Sequence, residues 1–530
     1  MMLRTLFALL WLATLTALPA HAALNPAVVN QLRGEDAEQK IHAIQQLALV
    51  GSAEATQVLQ ALADDALVLT ADQIVRMEGG RAFDAVTGQE IVPAPENPET
   101  LIINNRVRGE LATTLAVLKL FVADRGERLA AAKELEDSAD PIFIPILDRA
   151  LAQEHDPQIK QMIGLARALI ALKNPDKAQR LAAVKTLGES ANPNLKVQLA
   201  ALTDPANESD SQVRLEAKAS LRLLESRLAL GENISRIFSG LSLGSVLLLA
   251  ALGLAITYGV MGVINMAHGE LLMIGAFATY LVQNLFRTHF PQALDWYVVA
   301  AIPVAFFSAA LVGIIMERSV IRWLYGRPLE TLLATWGLSL ILIQGARVIF
   351  GPQNLEVANP GWMSGGVQLM SNVVLPWNRV VIIGFALFVL ALVWVLLNRT
   401  RLGLFVRAVT QNRAMAGCVG VPTGRIDTLA FGLGAGIAGL GGVALSQIAN
   451  VGPDMGQGYI VDSFMVVVLG GVGQLAGAVW AALGLGVVTK FLEGWAGAVI
   501  AKIAVLVFII IFIQKRPQGL FALKGRFADT

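Results

Sequence analysis

The chain has 530 residues, of which 55% are hydrophobic and only 15% charged, with a mean hydropathy of +0.60. That apolar fraction excludes an ordinary water-soluble protein, and a net charge of +1 offers no electrostatic case for nucleic acid. The single cysteine, Cys418, excludes an intramolecular disulfide framework and a cysteine-rich metal site.

The first segment reads as a targeting signal. Arg4 precedes an apolar run from Leu6 to Leu18, followed by Pro19-Ala20-His21-Ala22 with small residues at Ala20 and Ala22. A short basic start, an apolar core too short to span comfortably and an A-x-A end predict a signal peptide over 1–22, cleaved after Ala22. An uncleaved anchor helix is the alternative. Under either reading, the chain from residue 24 begins outside the cytoplasm.

Residues 23–232 carry charge throughout and show helical periodicity. Leu129-Ala130-Ala131-Ala132-Lys133-Glu134-Leu135 recurs as Leu181-Ala182-Ala183-Val184-Lys185-Thr186-Leu187, with a weaker copy at Ile41–Leu47. Proline-containing breaks at Asp140-Pro141 and Asn192-Pro193 separate helix pairs, and Asp156-Pro157 opens a second helix, since proline suits a first turn. Helix pairs of this length predict an exported HEAT-like α-solenoid. Residues 67–108 interrupt it with β-type runs at Val68, Ile74-Val75, Ala82-Phe83 and Ile91-Val92, and turns at Gly79-Gly80 and Thr87-Gly88. A small β-hairpin insertion is predicted there. His42 and His155 have no ligand-spaced partners and read as solvated or capping side chains.

Residues 237–523 read as an all-α polytopic membrane domain of about 8–9 spans, each needing roughly 20 apolar residues. The candidates are 238–260, 263–285, 297–320, 329–349, 380–397, 427–449, 459–472, 475–492 and 498–514. The 459–472 segment is short and ends in Gly470-Gly471-Val472-Gly473, which permits a re-entrant course where backbone is buried in protein. Arg399, Arg401, Arg407, Arg413 and Arg425 crowd the connector 398–426, and Lys515, Arg516, Lys524 and Arg526 the C-terminus. The opposite loops are poor in basic residues. The positive-inside bias therefore puts 398–426 and the C-terminus in the cytoplasm and residue 237 outside.

Two stretches stand out. In 264–273, Asn265, His268 and Glu270 are polar groups in an apolar run, which are paired or cavity-facing when they lie in a bilayer. They either cap a broken helix or touch the substrate path. Gln344, Gln447 and Asn450 are further polar residues near the expected path. In 403–421 a short amphipathic, basic helix ends in glycine. It reads either as a docking segment for a partner ATPase or as a membrane-surface helix. The chain has no G-x-x-x-x-G-K-[ST] and no H-E-x-x-H, so no ATPase site, enzyme activity, metal or cofactor is expected.

Asn265-Met266-Ala267-His268-Gly269-Glu270, the Arg407-Ala408 to Gly420-Val421 loop, Val468-Leu469-Gly470-Gly471-Val472-Gly473 and Arg516-Pro517-Gln518-Gly519-Leu520 occur in this order. Together they resemble the branched-chain amino-acid type of ABC permease over about 237–523. The resemblance implies an inner-membrane importer assembled from two homologous permease subunits, two cytoplasmic ATPases and a periplasmic solute-binding protein. It assigns ATPase coupling to Arg407, Ala408, Arg413, Ala416 and Gly420, within an EAA-like loop that Ala416 and Gly420 match most clearly. Gly269, Gly470, Gly471 and Gly473 are structural glycines on this reading. Plain amino-acid permeases of this type lack an exported helical domain, and the whole architecture resembles the urea-type permeases, the UrtB subfamily. Urea is the solute this implies, with branched-chain amino acids or a short amide as the alternative. A receptor with a periplasmic sensor is the reading from another class. It would need an output domain after the last span.

Overall fold

The computed structural model describes residues 24–521 apart from 71–72, 94, 96–98, 136–139 and 371. The signal peptide expected over 1–22 and the basic residues Lys524 and Arg526 lie outside the described residues. The chain divides into two compact units, one up to Arg227 and one from Leu228 onward.

The N-terminal unit opens with helices α1 (Pro26–Gln31), α2 (Ala37–Val50) and α3 (Ala53–Ala63). Each starts at a capping side chain: Asn25, Asp36 and Ser52 accept from the first-turn N–H groups that have no helical acceptor. Five strands follow, β1 (Leu67–Leu69), β2 (Ile74–Glu78), β3 (Arg81–Asp84), β4 (Glu90–Ile91) and β5 (Glu99–Thr100), in the antiparallel order β4-β3-β2-β1-β5. The insertion is thus larger than the hairpin expected from sequence, and helix resumes at Asn105, inside the 67–108 range. The sequence signal was diluted because β4 and β5 are two residues each and lack an apolar alternation. Gly79 and Gly80, both at positive φ (57° and 82°), make the tight β2–β3 turn that only such residues close without strain. Strand alternation splits the sheet: Leu67 and Ile74 join the helical core, while Val68, Val75 and Ala82 form a small cluster of their own.

The rest of this unit is helical: α4 (Asn105–Lys119), α5 (Arg125–Leu135), α6 (Ile144–Gln153), α7 (Pro157–Ala171), α8 (Lys177–Gly188) and α9 (Leu195–Ala201). One arginine device recurs. Arg128 donates from Nη1 to the carbonyls of Val122 and Ala123, and from Nε to Glu154 at 2.8 Å. Arg180 repeats this with Asn174, Pro175 and Glu208, and Arg214 makes the same backbone pair with Glu208 and Ser209. Each arginine ties its own helix to the turn before it, and the first two add the turn of the next helix pair. The Arg180 guanidinium holds the Glu208 carboxyl below its ordinary range against the opposing effect of burial. Burial pushes Glu154 the other way, but the backbone N–H of Asp156 and Arg128 outweigh it, and that carboxyl too lies low.

Helix α10 (Ser211–Met261) is a single 51-residue helix. The boundary expected between 232 and 237 is therefore a change of composition within one helix, with no break in backbone. Next come α11 (His268–His289), α12 (Tyr297–Ser319) and α13 (Pro328–Phe350), then a two-stranded hairpin of β6 (Gly366–Met370) and β7 (Val373–Pro376). That hairpin was not anticipated, because its strands carry no burial alternation. Then follow α14 (Trp377–Arg399), α15 (Arg401–Gln411), α16 (Arg413–Cys418), α17 (Thr423–Ser446), α18 (Met455–Gly470), α19 (Leu475–Ala496) and α20 (Ala498–Lys515).

Among the described residues eight helices are long and apolar enough to cross a membrane, and α18, with 16 residues, is a shorter apolar one. The apolar half of α10, α11 and above all α17 form the interior, while α13, α14, α19 and α20 expose most of their apolar surface. Small residues set the spacing in the interior. A Cβ on Gly434 would stand 2.6 Å from the Gly253 carbonyl, and one on Gly439 2.6 Å from that of Ala305. Without side chains at these points α17 lies backbone to backbone against α10 and α12, the approach that favours helix association in lipid.

Candidate functional site

Two polar constellations occur in this bundle. The first lies where α10 stops. Gly262, at φ 66°, turns the chain, residues 262–267 are non-helical, and α11 starts at His268. The expected span 263–285 therefore begins five residues late. Asn265 Oδ1 accepts from the N–H of Ala267 at 3.0 Å, and Met266 N–H donates to Thr335 Oγ1 at 3.1 Å. His268 Nε2 lies 2.9 Å from the Ala250 carbonyl, which can only accept, so Nε2 carries the proton. Ser339 Oγ donates to Glu270 Oε1 at 2.7 Å.

Asn265, His268 and Glu270 are all at most 1% exposed. Each keeps one atom without a hydrogen-bond partner: Asn265 Nδ2, His268 Nδ1 and Glu270 Oε2. Such groups are costly in an apolar surround. The three side chains turn to different neighbours, His268 to α10 and Glu270 to α13. Gly269 meets the backbone of Gly456 at the start of α18, where a Cβ would stand 2.8 Å from the Gly456 carbonyl carbon.

The other proposed path residues do not join this constellation. Gln447 is buried, accepts from Tyr297 Oη at 3.2 Å and donates to Ser446 Oγ. Its backbone carbonyl accepts from Asn378. Gln344 and Asn450 are exposed. Thr335 and Ser339 had escaped the sequence reading. Their signal was there: Thr331, Thr335 and Ser339 recur every fourth residue along one face of the otherwise apolar α13.

The second constellation is the segment of α15 and α16. Thr400 caps α15, and Asn412, at φ −152°, breaks the chain and caps α16 by accepting from Met415 N–H. Gly403, Val406, Val409 and Ala416 point inward. Leu404, Met415 and Val419 are exposed apolar groups beside the exposed Arg407, with Ala408 half-buried between the faces. Gly420, at φ 88°, ends α16 in a Schellman-type closure with Val421 N–H on the Ala416 carbonyl at 3.0 Å. A cavity of about 610 Å³ lies beneath α15, bounded by Trp394, Asn398, Arg407, Thr410 and Gln474 among others.

Arg413 is different from Arg407. It donates to both oxygens of Asp427 at 2.6 and 3.0 Å, and Asp427 is 1% exposed. Of the residues expected to couple to an ATPase, Arg413 is thus the partner of a buried carboxylate, whereas Arg407 is exposed.

The Val468–Gly473 and Arg516–Leu520 motifs come together. Leu520 N–H donates to the Leu469 carbonyl at 2.8 Å and Phe521 N–H to that of Gly470. Gly471 is at φ 99° and Gly473 at φ 75°, and Gly470 and Gly477 touch backbone to backbone. The pentapeptide Gly240-Leu241-Ser242-Leu243-Gly244 has the spacing of a serine nucleophile elbow. It lies inside α10, however, with Ser242 buried and both glycines packed on α19 backbone, which is helix-packing geometry.

The family described as branched-chain amino acid transport system, permease component, matches residues 236–514. The high-affinity branched-chain amino acid transport system permease protein BraD of Pseudomonas aeruginosa is 28% identical over 293 residues, covering 54% of this chain and 95% of that protein. LivH of Escherichia coli, a permease protein of the same kind of system, is 28% identical over 298 residues, covering 54% and 94%. The ribose import permease protein RbsC of Escherichia coli is 27% identical over 262 residues, covering 48% and 76%. No solved structure matches the chain. With more than half of its length matched by the family, and with transport-system permease proteins among its relatives, the chain belongs to the family of branched-chain amino acid type ABC permeases.

Proposed function

We propose that this chain is a permease subunit of an ATP-driven importer for urea. With a homologous permease it forms the path, a periplasmic binding protein delivers the solute, and two cytoplasmic ATPases drive the cycle. The observation that carries the urea reading is the mismatch in length. The amino-acid permeases BraD and LivH are covered almost end to end by this chain's C-terminal half, leaving the N-terminal unit without a counterpart in them. A permease with such an extension has the architecture of the urea-type subfamily. The N-terminal unit on this reading is a HEAT-like domain exported behind a signal peptide. The N-out, C-in orientation needs an odd number of crossings. The eight long helices among the described residues would return the chain to the side it started from, so on this reading α18, about 24 Å long at 1.5 Å per residue, makes the ninth crossing.

In mechanism, closure of the ATPases pulls on 401–420, and the spans around 264–273 and 468–477 rock to open the path. Asn265, His268 and Glu270 each keep a polar atom without a partner inside the bundle, and on this reading they are the groups a solute meets as the spans move. A branched-chain amino acid is the second reading, favoured by the names of the relatives. Uptake of radiolabelled urea and leucine into vesicles holding the full complex decides between them. ATP-dependent urea uptake is expected. Leucine uptake without urea uptake would replace this reading with the second. Glu270→Gln sharpens the result: it keeps an acceptor for Ser339 and removes the ionisable carboxyl, so neutral urea continues to move, whereas a solute that relies on a carboxylate for its ammonium group does not.

A further inference from the structure

Arg413 and Asp427 are one edge of a larger closed network at the ends of α12 and α17. Glu317, in the last turn of α12, is fully buried. Its Oε1 accepts from Tyr325 Oη at 2.8 Å and from Arg322 Nε at 3.4 Å, and its Oε2 accepts from Thr428 Oγ1 at 2.8 Å. Arg322 Nη2 donates to the same Thr428 hydroxyl at 3.1 Å. Thr428 is the neighbour of Asp427 in the first turns of α17. The Arg413 guanidinium, already bound to Asp427, lies 5.5 Å over the Tyr325 ring. It also reaches the Val260 carbonyl at 3.4 Å, and Tyr325 Oη contacts Met261 Sδ at 3.2 Å, both at the end of α10.

Five elements therefore meet at one point: the last turn of α12, the 320–327 turn, the α16 segment, the start of α17 and the last turn of α10. Both carboxylates are satisfied by directional bonds, and both are buried. A doubly bonded ion pair whose carboxylate is buried resists deformation, because separating it strands that carboxylate away from water, although the Arg413 side of the pair is half-buried. The exposed groups of the segment, Leu404, Arg407, Met415 and Val419, have no such ties. We infer that the Arg413–Asp427–Tyr325–Glu317–Thr428 network is the mechanical joint that carries movement of the 401–420 segment into α17 and α12. On this assignment Arg413 is a positioning residue that stays inside the permease, while the docking surface for an ATPase is the exposed face around Arg407. The inference rests on the coupling reading of that segment.

The test is made on the complete complex in vesicles, with ATP hydrolysis, solute uptake and ATPase co-purification measured on the same samples. In Asp427→Asn the complex assembles and hydrolyses ATP, but uptake per ATP falls by about fivefold or more, the lower bound of a typical coupling energy. The paired change Arg413→Asp with Asp427→Arg restores a substantial part of that ratio. Tyr325→Phe, which keeps the ring and removes one hydrogen bond, lowers the ratio by a smaller factor without reducing the amount inserted. An unchanged uptake-per-ATP ratio in both Asp427→Asn and Tyr325→Phe overturns the inference. So does loss of ATPase co-purification in Asp427→Asn at normal insertion, since that outcome makes the pair part of the docking surface. Should Asp427→Asn fail to insert, Tyr325→Phe and Glu317→Gln decide, and a normal ratio in both rejects the joint. Arg407→Glu separates the two ideas: ATPase co-purification is lost if the segment docks the ATPase. Retained co-purification there discards the coupling reading itself, whereas loss there with a normal ratio in the joint variants discards the joint alone.

Discussion

Arg180 and Arg413 each grip a buried carboxylate, yet the regions around them are built by different rules. In the N-terminal unit the grip is one tooth of a periodic fastening. Arg128, Arg180 and Arg214 each hold two backbone carbonyls at the same offsets upstream, and the carboxylates that the first two meet also accept from N–H groups of the following turn. Helices there are delimited by Asp, Asn and Ser caps. In the bundle, by contrast, α17 has no side-chain cap and is held by glycines at touching distance, and its one grip is shared among α10, α12, α16 and α17. Water can compensate a weakened polar contact in the first region. The interior of the second offers no such compensation, so close steric fit replaces polar repetition.

The comparison breaks most easily at a glycine. Gly434→Leu drives a side chain into the Gly253 carbonyl, and the loss should reach the top of the usual overpacking range, about 3 kcal/mol. The expected readout is aggregation in detergent or strongly reduced inserted protein. A fully stable variant would show that α17 tolerates a wider spacing.

Arg180→Ala tests the other region. It strands Glu208, and a loss of about 2 kcal/mol is expected, between the values for exposed and fully buried pairs. Hydrogen exchange of the full chain should show faster exchange confined to α8, α9 and the start of α10. A uniform change across all peptides would mean that the clasp is not a local fastening.

The same clasp has a pH signature. The Glu208 carboxyl is held low in the folded chain by Arg180, so its contribution is complete above the unfolded value of about 4.3. It is lost as pH falls below that value toward the folded one. Amide protection of α8 and α9 should therefore be flat from pH 7 to about 5 and decline below about 4.3. In Arg180→Ala most of that decline disappears.

The smallest effect is at a cap. Ser52→Ala removes the acceptor for the Ala55 N–H and should cost about 1 kcal/mol. Exchange at the start of α3 measures it.

How far residues alone reveal this molecule depends on the range of the interactions. Long apolar runs locate the eight membrane-length helices of the described residues because hydropathy is a local property. Asp156-Pro157 marks a helix start because caps act within three residues. The sheet was undersized because β4 and β5 gain their identity from pairing partners, and the pairing of β1 with β5 spans about thirty residues. The polar stretch at 265–270 was visible as an anomaly in an apolar run, but its partner Ser339 lies 69 residues away and was not. The pairing of Arg413 is hidden for the same reason. In one dimension Asp427 simply closes a basic loop, while in three it supplies the counter-charge.

One further property of the 401–420 segment has a practical side. The sole sulfhydryl of the chain, Cys418, is exposed at the end of α16, five residues past Arg413 and two before Gly420. A fluorophore or spin label placed there needs no prior removal of competing thiols. It would report rotation and solvent access of that segment through each turnover of nucleotide in an otherwise native chain.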